Sequence, residues 1–261
     1  MRTKKSLGQH FLNSPQIISD IVSAGKVNPT DTILEIGPGE GVLTEKLLET
    51  GAHVISIEKD DRLIPELQKR FGKEISIKKL DLIHADVLDI GITHITDKPY
   101  KLIANIPYYI TGQIIRMFLE STAQPTSMTL LIQKEVADRI VAKDEKESLL
   151  SLSVKIYGEP KLIRFVGRGA FTPQPNVDSA VINIGEINKK RLDGVDERLF
   201  FKLIHAGFAH KRKQLLPNLS SIYKKNDILE VFKKCKIDEK IRAEDLKIGD
   251  WIMLCKNISI I

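Results

Sequence analysis

Thr32-Ile33-Leu34-Glu35-Ile36-Gly37-Pro38-Gly39-Glu40-Gly41 is the stretch that decides the fold. Its first half is apolar and reads as an extended strand. Its second half sets three glycines at alternate positions, which lets the backbone turn sharply and approach a ligand closely. Val42–Glu49 then has helical apolar spacing. A strand that ends in a glycine turn and opens a helix is the first unit of a doubly wound α/β sheet. The spacing is G-x-G-x-G. A dinucleotide fingerprint would need its third glycine where Val42 stands, and a P-loop would need Gly-Lys-Ser/Thr, which does not follow. By itself, such a turn is equally the mark of a tight strand–helix connection.

Further strands and helices alternate outward from this stretch. Val54–Ile57 reads as a second strand with Arg62–Phe71 as its helix, and Ile75–Ile83 contains a third strand. Lys101–Ala104 is a fourth, followed by a turn and a helix through Ile114–Leu119, and Thr129–Ile132 is a fifth. The alternation implies a mostly parallel, Rossmann-like sheet covered on both faces. Lys161–Val166 and Ala180–Ile184 also read as strands, separated by the rigid loop Phe171-Thr172-Pro173-Gln174-Pro175. After Gly185 the apolar spacing becomes helical, at Leu199–Phe208, Ile228–Cys235 and Trp251–Leu254. The sequence therefore predicts an α/β domain over 1–184 and a small helical domain over 185–261.

Two acids give the glycine turn a ligand. Glu58 ends the second strand, where doubly wound folds place a ribose-binding carboxylate. A carboxylate can accept both ribose hydroxyls at once. Asp86 follows the third strand at the same sheet edge, placed to accept a hydrogen bond from an adenine amino group. Each acid alone reads as a solvated loop carboxylate. Three signals at three successive strand ends outline a nucleoside cofactor without a pyrophosphate, and S-adenosylmethionine fits.

The fourth strand runs into Asn105-Ile106-Pro107-Tyr108-Tyr109. The Asn105 amide oxygen and the Ile106 carbonyl could both accept from an amino group, Pro107 stiffens the turn, and Tyr108 offers a face for a base. These parts suit N6 of adenine, whose lone pair is delocalised into the ring. Two acceptors aimed at its protons favour a more tetrahedral nitrogen, with the lone pair free to meet a methyl sulfonium. Orientation and electrostatics are then the protein's work, and no strong base is needed. The target base must be flipped out or unpaired to reach such a pocket.

Charge is uneven along the chain. Residues 1–184 carry 23 Lys+Arg and 23 Asp+Glu, whereas residues 185–261 carry 17 and 11, the whole of the net +6. A basic module beside a neutral one suggests a polyanion partner, although lysine-rich helices also serve as solvated faces. The two cysteines, Cys235 and Cys255, form no CxxC pair, so neither a disulfide framework nor a zinc site is expected and a reducing cytoplasm fits best. No apolar run reaches the length of a membrane span, and no hydrophobic signal core follows the basic Met1-Arg2-Thr3-Lys4-Lys5.

Taken together, these motifs resemble the bacterial small-subunit rRNA adenine N6,N6-dimethyltransferases, the kasugamycin-sensitivity enzymes. The resemblance extends from Gly8-Gln9-His10-Phe11-Leu12 through the glycine turn, Ile57-Glu58, Asp86 and Asn105-Ile106-Pro107-Tyr108. It continues in Gln133-Lys134-Glu135-Val136, Phe171-Thr172-Pro173-Gln174-Pro175, Val177-Asp178-Ser179-Ala180-Val181, Lys211-Arg212-Lys213-Gln214-Leu215 and Arg242-Ala243-Glu244. It implies that His10, Leu12, Gly37, Gly39, Glu58, Asp86 and Asn105 contact S-adenosylmethionine, leaving S-adenosylhomocysteine as product. It implies that Phe171 faces the target adenine opposite Tyr108. It also implies two methyl groups on each of two adjacent adenosines in the 3′-terminal hairpin of small-subunit (16S) rRNA, within an assembling subunit and late in its biogenesis. Lys4, Lys5, Lys211, Arg212 and Lys213 are candidate phosphate contacts. Nothing in the sequence demands more than a monomer.

Three departures stand out. Ile106 replaces a leucine usual in the bacterial enzymes and is common in the erythromycin-resistance methyltransferases of large-subunit rRNA. Tyr109 and His10 each replace an asparagine found in some relatives. The rivals are that large-subunit enzyme, a DNA adenine methyltransferase, and an assembly or transcription factor that keeps the fold without the chemistry. An intact glycine turn and Asn105 argue against the last.

Overall fold

Every residue of the strand Thr32–Ile36 is buried, as expected of a strand covered on both faces. The computed structural model describes residues 10–91 and 95–258. In chain order its elements are β1 (Phe11–Leu12), α1 (Pro15–Ala24), β2 (Thr32–Ile36), α2 (Val42–Glu49), β3 (His53–Glu58), α3 (Ile64–Arg70), α4 (Gly72–Ser76), β4 (Leu80–His84) and β5 (Lys101–Asn105). There follow α5 (Thr111–Glu120), β6 (Ser127–Gln133), α6 (Lys134–Val141), α7 (Leu149–Lys155), β7 (Glu159–Val166), β8 (Phe171–Thr172) and β9 (Ser179–Gly185). The last helices are α8 (Glu197–Gly207), α9 (Leu215–Leu219), α10 (Lys225–Cys235) and α11 (Ile248–Ile258).

Seven strands form one sheet in the order β4-β3-β2-β5-β6-β9-β7. The strands β4, β3, β2, β5 and β6 are parallel, and β9 runs antiparallel between β6 and β7. The order reverses between β2 and β5, the switch point at which open α/β sheets hold their ligands. On one face Ile17, Ile18 and Ile21 of α1 and Leu43 and Leu47 of α2 pack with Ile33, Val54 and Ile103 of the sheet. The third strand occupies only the end of the expected Ile75–Ile83 stretch. Gly72–Ser76 is helical, and Ile77, at 59% exposure, is left outside the core.

The chain divides into two compact units. One takes in the chain up to Ala137 together with Glu159–Ile187, the other Asp138–Gly158 together with the chain from Asn188 onward. The second unit thus includes α7, which lies well before the expected change of character near residue 185. Its core is built from Phe200, Leu203 and Ile204 of α8, Leu215 and Leu219 of α9, Ile228 and Phe232 of α10, and Trp251 and Leu254 of α11, all essentially without solvent exposure. Among the described residues no helix is long and apolar enough to cross a membrane.

Within this second unit Gly207 shows a conflict between two effects. Alanine would favour the helix over glycine by up to about 1 kcal/mol. A Cβ there, however, would lie 2.4 Å from Trp251 Cη2 and 3.0 Å from Leu215 Cδ1. Overpacking of that kind costs about 1–3 kcal/mol, and the fully buried Trp251 ring has nowhere to move. Gly207→Ala is therefore expected to lower stability by about 1–2 kcal/mol, measured by urea unfolding followed on the single tryptophan. A neutral or stabilised variant would mean that α8 and α11 do not meet this closely.

Candidate active site

The glycine turn leaves β2 with Gly37, Gly39 and Gly41 all in the left-handed region, at φ of 65°, 60° and 81°, where other residues are strained. A Cβ on Gly41 would meet the Phe71 ring at 2.5 Å and one on Gly39 the Phe11 ring at 3.0 Å. A Cβ on Gly37 would meet nothing within 4 Å, so that glycine borders open space.

Glu35 lies beneath the turn, 1% exposed. Its Oε2 accepts hydrogen bonds from Thr44 Oγ1 at 2.7 Å and Ser56 Oγ at 2.6 Å. Its Oε1 is buried without a hydrogen-bond partner. Burial pushes the Glu35 carboxyl up to about 7, against the pull of the two hydroxyls. Glu58, at the end of β3, is held differently. Its Oε2 accepts from the Gly39 N–H at 3.2 Å and its Oε1 from the Asp60 N–H at 2.7 Å. Burial raises its pKa from the ordinary value, and these N–H donors oppose the rise. Asp86, two residues beyond β4, accepts from the Leu88 N–H at 3.0 Å and from Lys59 Nζ at 2.5 Å. Burial works to raise its pKa, but Lys59 and the Leu88 N–H outweigh it and the net direction is down.

The far wall comes from the N-terminal segment. β1 pairs antiparallel with β8, Phe11 opposite Thr172 and Leu12 opposite Phe171. The Asn13 N–H donates to Ala170 O at 2.9 Å, and the Asn13 amide to Thr172 Oγ1 at 2.6 Å. His10 Nδ1 lies 2.7 Å from Pro173 O. Its ring stacks on Tyr108, with centroids 5.8 Å apart at 26°. The Asn105 Nδ2 donates to His10 O at 3.3 Å, which leaves Oδ1 as that side chain's acceptor. Tyr108 Oη and Ser179 Oγ share a hydrogen bond of 2.6 Å. Burial raises the Tyr108 phenol above its ordinary value.

One cavity gathers His10, Leu12, Gly37, Gly39, Glu58, Asp86, Asn105, Ile106, Pro107 and Tyr108. Phe171 is the exception. It is 4% exposed, belongs to the hydrophobic core and does not line the cavity. Alternate residues of a strand point to opposite sides, so β8 turns Phe171 inward and Thr172 outward, and the expected aromatic face opposite Tyr108 is corrected accordingly. Lys4 and Lys5 lie outside the described residues. Lys211, Arg212 and Lys213 sit exposed on the turn between α8 and α9 of the second unit.

Three contributors escape the sequence reading. Glu35 carries a signal in the chain itself, an acid inside an otherwise apolar strand. Lys59 has none, and Ser179, although it falls in the Val177-Asp178-Ser179-Ala180-Val181 segment, gains its role only from Tyr108, a partner distant in sequence. Together the open space at Gly37, the orphaned acceptor on Glu35 and the two anchored carboxylates fit a bound nucleoside cofactor that carries cationic and hydroxyl donors. Among the described residues no cluster of acids, histidines and cysteines is arranged to hold a metal.

The fold, with this sheet order, is shared with known methyltransferases. The dimethyladenosine transferase of Plasmodium falciparum superposes with a TM-score of 0.81 at 27% identity, over 94% of this chain and 96% of that one. The 23S rRNA methyltransferase ErmE shares the fold, with a TM-score of 0.79 at 22% identity over 95% and 99%. The family model described as ribosomal RNA adenine dimethylase matches residues 1–259, and the chain belongs to that family. A Dehalococcoides mccartyi protein named ribosomal RNA small subunit methyltransferase A is 42% identical over 98% of this chain and 88% of its own length. A protein of the same name from Fusobacterium nucleatum is 38% identical over 97% and 96%.

The buried Glu35 gives stability a pH dependence. Its folded value of about 7 lies above the ordinary 4.5, so between those pH values the folded chain keeps a proton that the unfolded chain has lost. Stability is fully supported below about 4.5 and falls as pH rises toward 7, by about 3 kcal/mol in all. Glu35→Gln should match the wild type near pH 4 and exceed it at pH 8 by up to about 3 kcal/mol, in urea unfolding of the cofactor-free protein. Parallel pH profiles would assign the proton to another group.

Proposed function

We propose that this enzyme transfers methyl groups from S-adenosylmethionine to N6 of two adjacent adenosines in the 3′-terminal hairpin of small-subunit rRNA, two to each. It acts as a cytoplasmic monomer on an assembling subunit, late in its biogenesis. The single observation that carries the chemistry is the fixed Asn105 amide. Its nitrogen is committed to the His10 carbonyl, so its oxygen is the acceptor it offers to a cavity also lined by Glu58 and Asp86. The choice of substrate is supported by the named relatives and by the Val177-Asp178-Ser179-Ala180 and Lys211-Arg212-Lys213 segments.

Glu58 accepts the ribose hydroxyls, Asp86 the cofactor's adenine amine, and Gly37 leaves room for its chain. Glu35 Oε1 accepts from the cationic methionyl end. The cofactor supplies a methyl group activated on a sulfonium. Asn105 Oδ1 and the Ile106 carbonyl accept the two N6 protons of the target and turn its lone pair toward that methyl. The face of Tyr108 away from His10 carries the base, and the Ser179 hydroxyl fixes the ring. The second transfer needs room beside Asn105 for an N6-methyl group.

RNA docks on the second unit. Lys211, Arg212 and Lys213 are joined by Arg198, Lys202 and His205 of α8, all exposed. The latter three fall at i, i+4 and i+7, one stripe opposite the buried Phe200, Leu203 and Ile204. Lys202 Nζ stands 5.2 Å from the centre of the Tyr223 ring. Contacts of this kind supply affinity and salt dependence but no sequence choice.

The reading is tested by offering labelled S-adenosylmethionine to undermethylated small subunits and, in parallel, to large-subunit RNA, with the modified nucleoside identified by mass spectrometry. N6,N6-dimethyladenosine in the small subunit alone is expected. The same product in large-subunit RNA alone would move the enzyme to the resistance branch. Asn105→Ala should reduce transfer by about 100-fold or more, the scale of losing one aligned transition-state partner, while cofactor affinity by calorimetry changes far less. Charge reversal at Lys211, Arg212 and Lys213 should weaken subunit binding and lower its salt slope by about 2–3. An unaltered slope would place docking elsewhere.

A further inference from the structure

Lys59 interrupts the lining of the cavity. It lies between Glu58 and Asp86, with apolar Ile57, Val87 and Leu88 also on the wall. Its ammonium reaches Asp86 Oδ2, while the N–H of Leu88 reaches Oδ1. Two donors from two different segments, one at the end of β3 and one in the turn after β4, thus hold both oxygens of a single carboxylate. We propose that Lys59 is a positioning residue for the adenine end of the cofactor site, fixing the aim of the Asp86 carboxylate on which the cofactor's amine is received. This rests on the reading of the cavity as an S-adenosyl cofactor site.

Fold stability does not explain the pair. The Lys59 side chain is 54% exposed and that of Asp86 19%, and exposed ion pairs contribute little to stability. Orientation is a different matter. An unpaired carboxylate at the end of a flexible turn samples several rotamers and must be ordered when the ligand arrives, whereas one already held by two donors costs less to order. A carboxylate has about four acceptor sites, so two remain for the incoming amine. The charge also matters. Burial works to raise Asp86, and Lys59 is the chief group that opposes it. A protonated Asp86 would present a hydroxyl donor to an amine. The Lys59 stem can meanwhile cover apolar surface with its head in water.

The same contact could instead be a latch over the cavity that must open before the cofactor enters. The two roles predict opposite signs. In the full-length protein, with S-adenosylhomocysteine as the calorimetric probe, Lys59→Met keeps the stem and removes the charge. It should weaken binding about tenfold, the size of one charge-assisted hydrogen bond, whereas Lys59→Arg should stay within about threefold of wild type. In an Asp86→Asn background, Lys59→Met should add less than about twofold, since a residue that acts through another is non-additive with it. Unchanged or tighter binding by Lys59→Met would overturn the proposal in favour of a latch or a bystander. A tenfold loss that persists beside Asp86→Asn would overturn it by showing that Lys59 acts without Asp86. Failure of the wild type to bind the probe would instead remove the cofactor reading on which the proposal stands.

Discussion

The pairing of Phe11–Leu12 with Phe171–Thr172 is the contact on which the site depends. It joins segments about 160 residues apart in the chain. Through it the backbone carbonyl of His10 receives the Asn105 amide, and the His10 ring lies against Tyr108. The loop from Asn105 to Tyr109 is therefore oriented by the N-terminal segment as well as by its own strand. Gly39 is part of the same fit, since a side chain there would strike the Phe11 ring. Such long-range closure is entropically costly to form. It is sustained by the burial of Leu12 and Phe171 in the hydrophobic core and by the two hydrogen bonds from Asn13.

Three of the carboxyl groups that line the cavity, Glu35, Glu58 and Asp86, each sit in a different electrostatic setting. Glu35 has hydroxyl partners on one oxygen, none on the other, and an elevated affinity for its proton. Glu58 is anchored by two backbone N–H groups. Asp86 has a cation beside it. One wall can therefore present acceptors of graded proton affinity to a ligand that is cationic at one end and carries hydroxyls and an amine elsewhere. Such grading follows from burial and partner identity.

The parallel strands and the glycine turn were legible because their signals are local. Thr32–Ile36 is a strand to the residue, and Glu58 and Asn105 stand at strand ends as the alternation requires. What distant contacts decide was not legible. The two-residue strands β1 and β8 are too short for any period to reveal. Phe171 is apolar in either role, core or base platform, and only the pairing with Leu12 puts it inside. Gly72–Ser76 is helical although Ile75 and Ile77 alternate as strand residues would, because Ile75 alone packs toward the core. The segment Asp138–Gly158 joins the second unit through contacts made with residues from Asn188 onward, a relation that no linear change of composition marks. Lys59 carries no local signal, because its partner Asp86 lies 27 residues further on and only the fold brings the two together.

Hydrogen exchange at the backbone amides of residues 10–13, in the cofactor-free protein, tests most directly whether the N-terminal strand builds the site. Docking onto β8 predicts that the Asn13 amide, bonded to Ala170 O, exchanges more slowly than in a free peptide by about a hundredfold or more. Exchange at the free-peptide rate, even with S-adenosylhomocysteine added, would contradict the account.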